Sequence, residues 1–157
     1  MILSNGCHKY FLSVVVALAC LAINPEFAWA GEQHVARVSE FKGAVTVARG
    51  SDTVAIATGA RLHNQDTVKT GADGSVGMVF NDETTLSLGP NSELTIQDYI
   101  FDPANSEFSF VMRLLRGTAA YASGLIAKLS PESTRFITPS ASIGIRGTRF
   151  VIEVDPV

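Results

Sequence analysis

Phe108-Ser109-Phe110-Val111-Met112-Arg113-Leu114-Leu115 puts Phe108, Phe110, Met112 and Leu114 on one side of an extended chain and Ser109, Val111, Arg113 and Leu115 on the other. An alternation of period two that leaves one face wholly apolar is the signature of a half-buried strand. Helix is the rival reading, because Met112-Arg113-Leu114-Leu115-Arg116 consists of good helix formers. The Phe-Ser-Phe-Val beginning and the Gly117-Thr118 pair, read as a stop, favour a strand.

The flanking text repeats the pattern on a shorter scale. Ala44-Val45-Thr46-Val47, Ser75-Val76-Gly77-Met78-Val79-Phe80, Thr84-Thr85-Leu86-Ser87-Leu88 and Glu93-Leu94-Thr95-Ile96 are short runs rich in β-branched residues, Leu and Phe. Gly43, Asn81-Asp82-Glu83 and Gly89-Pro90-Asn91-Ser92 separate them with turn chemistry. Only Tyr121 to Leu129 has room for a helical turn or two. Strands spaced by roughly ten residues, with no long helical pattern between them, predict an all-β domain: an antiparallel sandwich, a barrel or a short β-solenoid.

The composition agrees. The chain has 157 residues, 12 Lys+Arg against 15 Asp+Glu, a net charge of −3 and 46% apolar residues. That is one domain, too apolar for a disordered chain and too acidic for a nucleic-acid binder. Charge is uneven, with residues 31–106 acidic and residues 107–157 mildly basic. Arg113, Arg116, Arg135, Arg146 and Arg149 form the one strip that could dock an acidic partner.

Residues 1–30 read differently from the rest. Lys9 precedes an apolar run from Tyr10 to Ile23, and Ala28-Trp29-Ala30 places small residues before Gly31. This is the layout of a secretory signal peptide, and a run of about fourteen residues is short of the roughly 20 that span a bilayer. The expected organisation is a signal peptide over 1–30 and an all-β domain over 31–157, periplasmic or secreted. An uncleaved signal anchor, the sole route to a membrane, and lipidation at Cys20 are the alternatives. Cys7 and Cys20 both lie in the leader, so the exported domain would hold no cysteine and no disulfide.

Enzyme patterns find little to build on. Ser39-Glu40-Phe41-Lys42 and Lys69-Thr70-Gly71 have the form of two penicillin-recognising motifs, without the third. His34 and His63 have no ligand spacing, and the oxygens of Asp73 and of Asn81-Asp82-Glu83 fit no calcium loop. The expectation is a non-enzyme with no catalytic residue, no metal and no cofactor.

Thr138-Pro139-Ser140-Ala141-Ser142-Ile143-Gly144-Ile145-Arg146-Gly147-Thr148-Arg149-Phe150-Val151-Ile152 resembles the closing motif of the FecR domain family. Asp66-Thr67-Val68-Lys69-Thr70-Gly71, with the strands that follow, resembles its upstream strand pair, and Leu114-Leu115-Arg116-Gly117 its middle step. The resemblance covers about Val38 to Val154. It implies a periplasmic module of cell-envelope or iron-responsive signalling, although only nine residues precede the apolar run and the cytoplasmic anti-sigma segment of well-known members is not expected here. Arg116, Gly117, Thr138, Pro139, Arg146, Gly147, Thr148 and Phe150 are the motif residues singled out for structure or interaction. Gly71, Gly74, Gly117 and Gly147 are expected at reversals that need positive φ, Pro139 at a bend or edge, and Arg146 against turn carbonyls or a carboxylate. Some anti-sigma relatives cut themselves at a Gly-Thr bond; at Gly147-Thr148 this would release only the tail from Thr148 to Val157, which makes little regulatory sense. The function expected is an exported binding or scaffold module whose partner is a protein or a cell-wall polymer. The alternative is an accessory of envelope sensing beside a separate membrane regulator.

The leader reading has a direct check. Intact-mass measurement of the exported protein is expected to place its N-terminus at Gly31; a retained leader or a lipid on Cys20 would overturn it.

Overall fold

The computed structural model describes residues 33–146 and 149–155, and the leader expected over 1–30 lies outside them. Twelve strands follow in order: β1 Ala36–Lys42, β2 Val45–Arg49, β3 Asp52–Ala55, β4 Arg61–Leu62, β5 Thr67–Thr70, β6 Ser75–Phe80, β7 Thr85–Leu88, β8 Glu93–Asp102, β9 Glu107–Ala122, β10 Thr134–Ile137, β11 Ser142–Gly144 and β12 Arg149–Val154. Between β9 and β10 lie one helical turn, α1 (Ile126–Leu129), and a 3-10 turn, Pro131–Ser133. The fold is all-β, as the spacing of apolar runs predicts. None of the helices among the described residues is long and apolar enough to cross a membrane.

The strands form a single curled sheet in the order β3-β2-β5-β8-β9-β7-β6-β1-β4. Every pairing is antiparallel except β9 with β10. Stacked coils of a solenoid would instead pair in parallel, so of the expected arrangements the structure realises the antiparallel one. The sheet folds over a single core because β9 belongs to both of its halves. Residues Glu107 to Arg116 pair with β8, whereas Ala119 to Ala122 pair with β7.

On the first half of β9 the alternation read from sequence holds. Phe110, Met112 and Leu114 are fully buried, while Arg113 and Leu115 face out. Each of the three inward side chains contributes about 2 kcal/mol through burial. On the second half the parity is reversed, and Ala119 and Tyr121 are the buried residues. The register slips between Glu93 and Leu94, so that Leu115 and Arg116 both face outward in succession. Gly117 follows with φ +86°.

The expected stop at Gly117-Thr118 is therefore corrected: the strand bends there and continues for five more residues. An extra residue followed by a left-handed glycine is how a strand turns a corner without losing its ladder. Gly117 is needed for space as well as for φ. A Cβ there would lie 2.2 Å from Ser92 Oγ and 2.4 Å from Ser92 Cα. Ser92 holds the corner, since its hydroxyl accepts from Thr118 N (2.9 Å) and lies 3.2 Å from Thr118 O. The Ser92 amide donates to Thr70 Oγ1 (2.8 Å), which in turn donates to Gly89 O (2.6 Å).

The other described reversal glycines do not need positive φ. Gly74 is required for close approach, because a Cβ would meet Ala44 O at 2.4 Å, and a Cβ on Gly71 would lie 3.0 Å from that of Ala44. The helical turn expected somewhere in Tyr121 to Leu129 is confined to Ile126–Leu129, because Tyr121 and Ala122 remain in β9.

Rings connect the two halves. Phe80 of β6 sits 5.3 Å from Tyr99 of β8 and 5.0 Å from Phe110 of β9, centroid to centroid. Phe110, Tyr121, Phe136 and Phe150 extend the cluster to β10 and β12 at 4.8–6.1 Å. Aromatic contacts in this range add about 1 kcal/mol each beyond area burial.

Gly50 offers an internal control for the corner, since its φ is +57° but nothing lies within 4 Å of an added Cβ. Gly50→Ala is expected to cost about 1 kcal/mol in urea unfolding, the conformational penalty alone. Gly117→Ala is expected to cost about 4 kcal/mol, because overlap with Ser92 is added to that penalty.

Candidate functional site

The polar residues of the upstream motif turn inward to hold the chain. Asp66, at the entrance to β5, is fully buried. Arg49 from the end of β2 grips it in two-pronged fashion, Nε to Oδ1 at 2.8 Å and Nη2 to Oδ2 at 2.7 Å. The same guanidinium donates to Arg61 O, and His63 N donates to Asp66 Oδ2 at 2.9 Å. Charge-assisted forks of this kind are about twice as strong as neutral hydrogen bonds. Thr70, at the other end of β5, belongs to the Ser92 corner described above. Lys69, between them, points out to Glu93 at 2.9 Å. The Lys69-Thr70-Gly71 triplet is thus a strand end, as its sequence context suggests.

A second buried carboxylate lies in the turn between β6 and β7. Asp82 is fully buried, as is Thr84. Asp82 Oδ1 accepts from Thr84 N (3.2 Å) and from the Tyr99 hydroxyl (3.2 Å). Oδ2 accepts from Thr84 Oγ1 (2.7 Å) and from Ile126 N (3.2 Å). The backbone joins in: Asp82 N donates to Tyr99 Oη at 2.8 Å, and Leu125 N donates to Asp82 O at 2.7 Å. Gly124 N completes the knot by donating to Thr84 Oγ1, with no room for a Cβ because Asp82 O would lie 2.2 Å from it.

Burial pushes the Tyr99 phenol far above its ordinary range, and the Asp82 charge adds to the shift. Burial likewise raises Tyr121. A carboxylate beside raised phenols is a feature that active sites share with structural networks. Four donors from three segments occupy both oxygens here, so the group clamps the β6–β7 turn, β8 and α1 together. Buried carboxylates need such donors to stay in a low-dielectric core.

Among the described residues, those singled out from the closing motif do not converge on a pocket. The strands that flank them, β10 and β12, lie along one edge of β9, the edge opposite β8 and β7. β10 pairs with Phe110 to Arg113, and β12 pairs with Gly117 to Ala122. Thr138 and Pro139 make the turn between β10 and β11, where the Thr138 amide donates to Ala141 O (2.8 Å) and its hydroxyl accepts from Ala141 N (3.0 Å). Pro139 thus occupies the bend expected of it. Phe150 stacks on Tyr121 at 4.8 Å and meets Phe136 edge-on at 5.4 Å. Gly147 and Thr148 lie outside the described residues.

The arginines are separated. Arg116 shares Glu93 with Lys69, at 3.3 Å, and Arg113 Nε donates to Gln97 Oε1 at 3.2 Å. Arg149 belongs to β12 on the other half of the sheet, so the expected basic strip is divided between the halves. Arg146 is exposed after the buried Ile145 and has neither a hydrogen bond nor an ion pair among the described residues. The expected contact with a carbonyl or carboxylate is therefore not found there.

A cleft of about 550 Å³ opens near His34, Asn64 and Asn81, but the amides of both asparagines are already engaged. Asn64 Nδ2 donates to Tyr99 O and Asn81 Nδ2 to His34 O. Among the described residues no three metal-ligating side chains cluster. Sequence reading passed over Arg49 and Tyr99, and took Asp82 and Ser92 for turn residues alone. Asp82-Glu83-Thr84 carries a local signal, an Asp two residues before a hydroxyl in a turn. Tyr99 carries another, a phenol on the inward side of an apolar strand that must find a partner.

The raised phenols fix a direction with pH. Their neutral form is favoured in the folded state, so the stability they contribute is full below the unfolded value of 10.0 and is lost as pH rises above it. Absorbance at tyrosinate wavelengths is expected to show Tyr99 and Tyr121 ionising only above the ordinary phenol range, as the fold gives way. Both phenols titrating near 10 in the folded protein would contradict the burial.

A protein-family model described as FecR protein matches residues 66–156. No curated protein and no solved structure matches the chain. The matched span opens on the Asp66 clamp, passes through the Gly117 corner and takes in the whole of β12. With more than half of its length matched in one continuous span, the chain belongs to the FecR protein family, a regulatory and signalling family rather than an enzyme family.

Proposed function

We propose that the chain is an exported, non-enzymatic binding module of the cell envelope, which engages its partner through strand edges and hairpin loops. The observation that carries this reading is that three of the seven exposed large apolar side chains among the described residues lie on strands at the margins of the sheet. Val54 on β3, Ile143 on β11 and Val151 on β12 are 44%, 36% and 66% exposed. Each of these strands pairs on one side only among the described residues. Open edges flanked by apolar side chains suit recognition by strand addition, in which backbone groups supply affinity and alternate side chains supply specificity. The buried carboxylates, by contrast, are saturated by the protein's own donors, which favours a binding role over chemistry at these groups.

Family membership favours a second reading on the same surface: an accessory of cell-envelope sensing or iron-responsive signal transduction that acts with a separate membrane regulator. Both readings require a partner held at the edges. Capture from envelope extract by the wild-type protein is expected to retain a partner that Val54→Lys/Ile143→Lys/Val151→Lys releases, with unfolding midpoint unchanged. Retention equal in both would overturn the edge reading. Sedimentation with purified peptidoglycan separates a wall polymer from a protein partner.

A further inference from the structure

We infer that β12 is a self-complementary edge and that the protein pairs with a second copy of itself there, continuing its sheet across a two-fold axis. The inference rests on the edge-recognition reading above and names the partner at one of those edges.

β12 lies against β9 on one side and has no strand on its other side among the described residues. Its sequence is Arg149-Phe150-Val151-Ile152-Glu153-Val154, with Arg149, Val151 and Glu153 exposed and Phe150, Ile152 and Val154 half-buried towards the core. In an antiparallel pair of identical strands, a two-fold axis perpendicular to the sheet places residues of the same face opposite one another. Centred on Val151, that register sets Val151 against its own copy on the outer face and Arg149 against Glu153 of the second copy, twice. On the core side it sets Phe150 against Ile152, also twice. Every cross-strand pair from Arg149 to Glu153 is then either apolar with apolar or cation with anion, the combinations that stabilise a sheet.

The signs of the charges decide between this reading and its rival. Charged residues on an edge commonly serve to prevent pairing. Gatekeepers of like sign would repel across the two-fold, whereas Arg149 and Glu153 have opposite signs at symmetric positions around the most exposed large apolar residue of the described chain. A five-residue ladder is smaller than a standard stable interface, so a reversible dimer in the micromolar range is expected.

Sedimentation equilibrium of the full-length protein as recovered from cells, from about 5 to 500 µM, reads the association directly. Arg149→Glu alone places acid opposite acid at both ends and is expected to raise the dimer Kd at least about tenfold. Arg149→Glu/Glu153→Arg restores the complementary pattern and is expected to return Kd to within about threefold of wild type. Val151→Asp is expected to leave a monomer. Circular dichroism and the unfolding midpoint verify that each variant folds, as substitutions at exposed positions should. A wild-type monomer at every concentration, a dimer indifferent to the single exchange, or a double exchange that fails to restore pairing would each overturn the inference. No other partner is present in this measurement, so a monomer that still captured its envelope partner would sink the dimer alone.

Discussion

The fold depends on one strand passing from one half of the sheet to the other, and that passage depends on the contact of Gly117 with Ser92. β9 must keep its ladder with β8, reverse the parity of its side chains, and take up a new ladder with β7. Two successive outward residues, Leu115 and Arg116, supply the parity change, and Gly117 supplies the positive φ and the space. The Ser92 hydroxyl then bonds both backbone groups of Thr118 at the moment the strand has left its first neighbour. Without the corner, Ala119 and Tyr121 would face solvent and the two halves would have no common core.

The remaining polar interior can be understood as ties placed where strands end. Asp66 ties the end of β2 to the start of β5 through Arg49, and Thr70 ties the end of β5 to the turn before β8. Asp82 ties the β6–β7 turn to β8 and α1. Each is a buried group with its hydrogen bonds made, and each would be costly if left unpaired. Such ties occur at the ends of short strands because a four-residue strand has too little apolar surface to hold its own position.

That arrangement explains what could be read from the sequence. The alternation from Phe108 to Leu115 declares a strand because periodicity is a local property, and the turn residues around Asn81 and Gly89 bound their strands for the same reason. The continuation of β9 beyond Gly117 was not legible, because a glycine that bends a strand and one that ends it look alike until Ser92, 25 residues upstream in sequence, is seen against it. The clamps were hidden in the same way. Asp66 stands out within its motif, but Arg49 is an ordinary arginine until β2 and β5 are side by side. The separation of the arginines follows from the corner too, since residues that a straight strand would align are divided between two halves.

The closing motif acquires its meaning from the edge of β9 that it covers. β10 and β12 lie along the two halves of that edge, and Phe136 and Phe150 bring their rings onto Tyr121 from both. The residues after position 148 are therefore part of the wall over the core rather than a tail. A self-cut at Gly147-Thr148 that released them would strip Phe150, Ile152 and Val154 from the cluster they pack against. It would also expose the backbone of β9 from Gly117 to Ala122 on that side. Cleavage there would act by opening the fold, not by trimming it, and a regulatory role for the closing motif is better sought in what its outer edge can pair with.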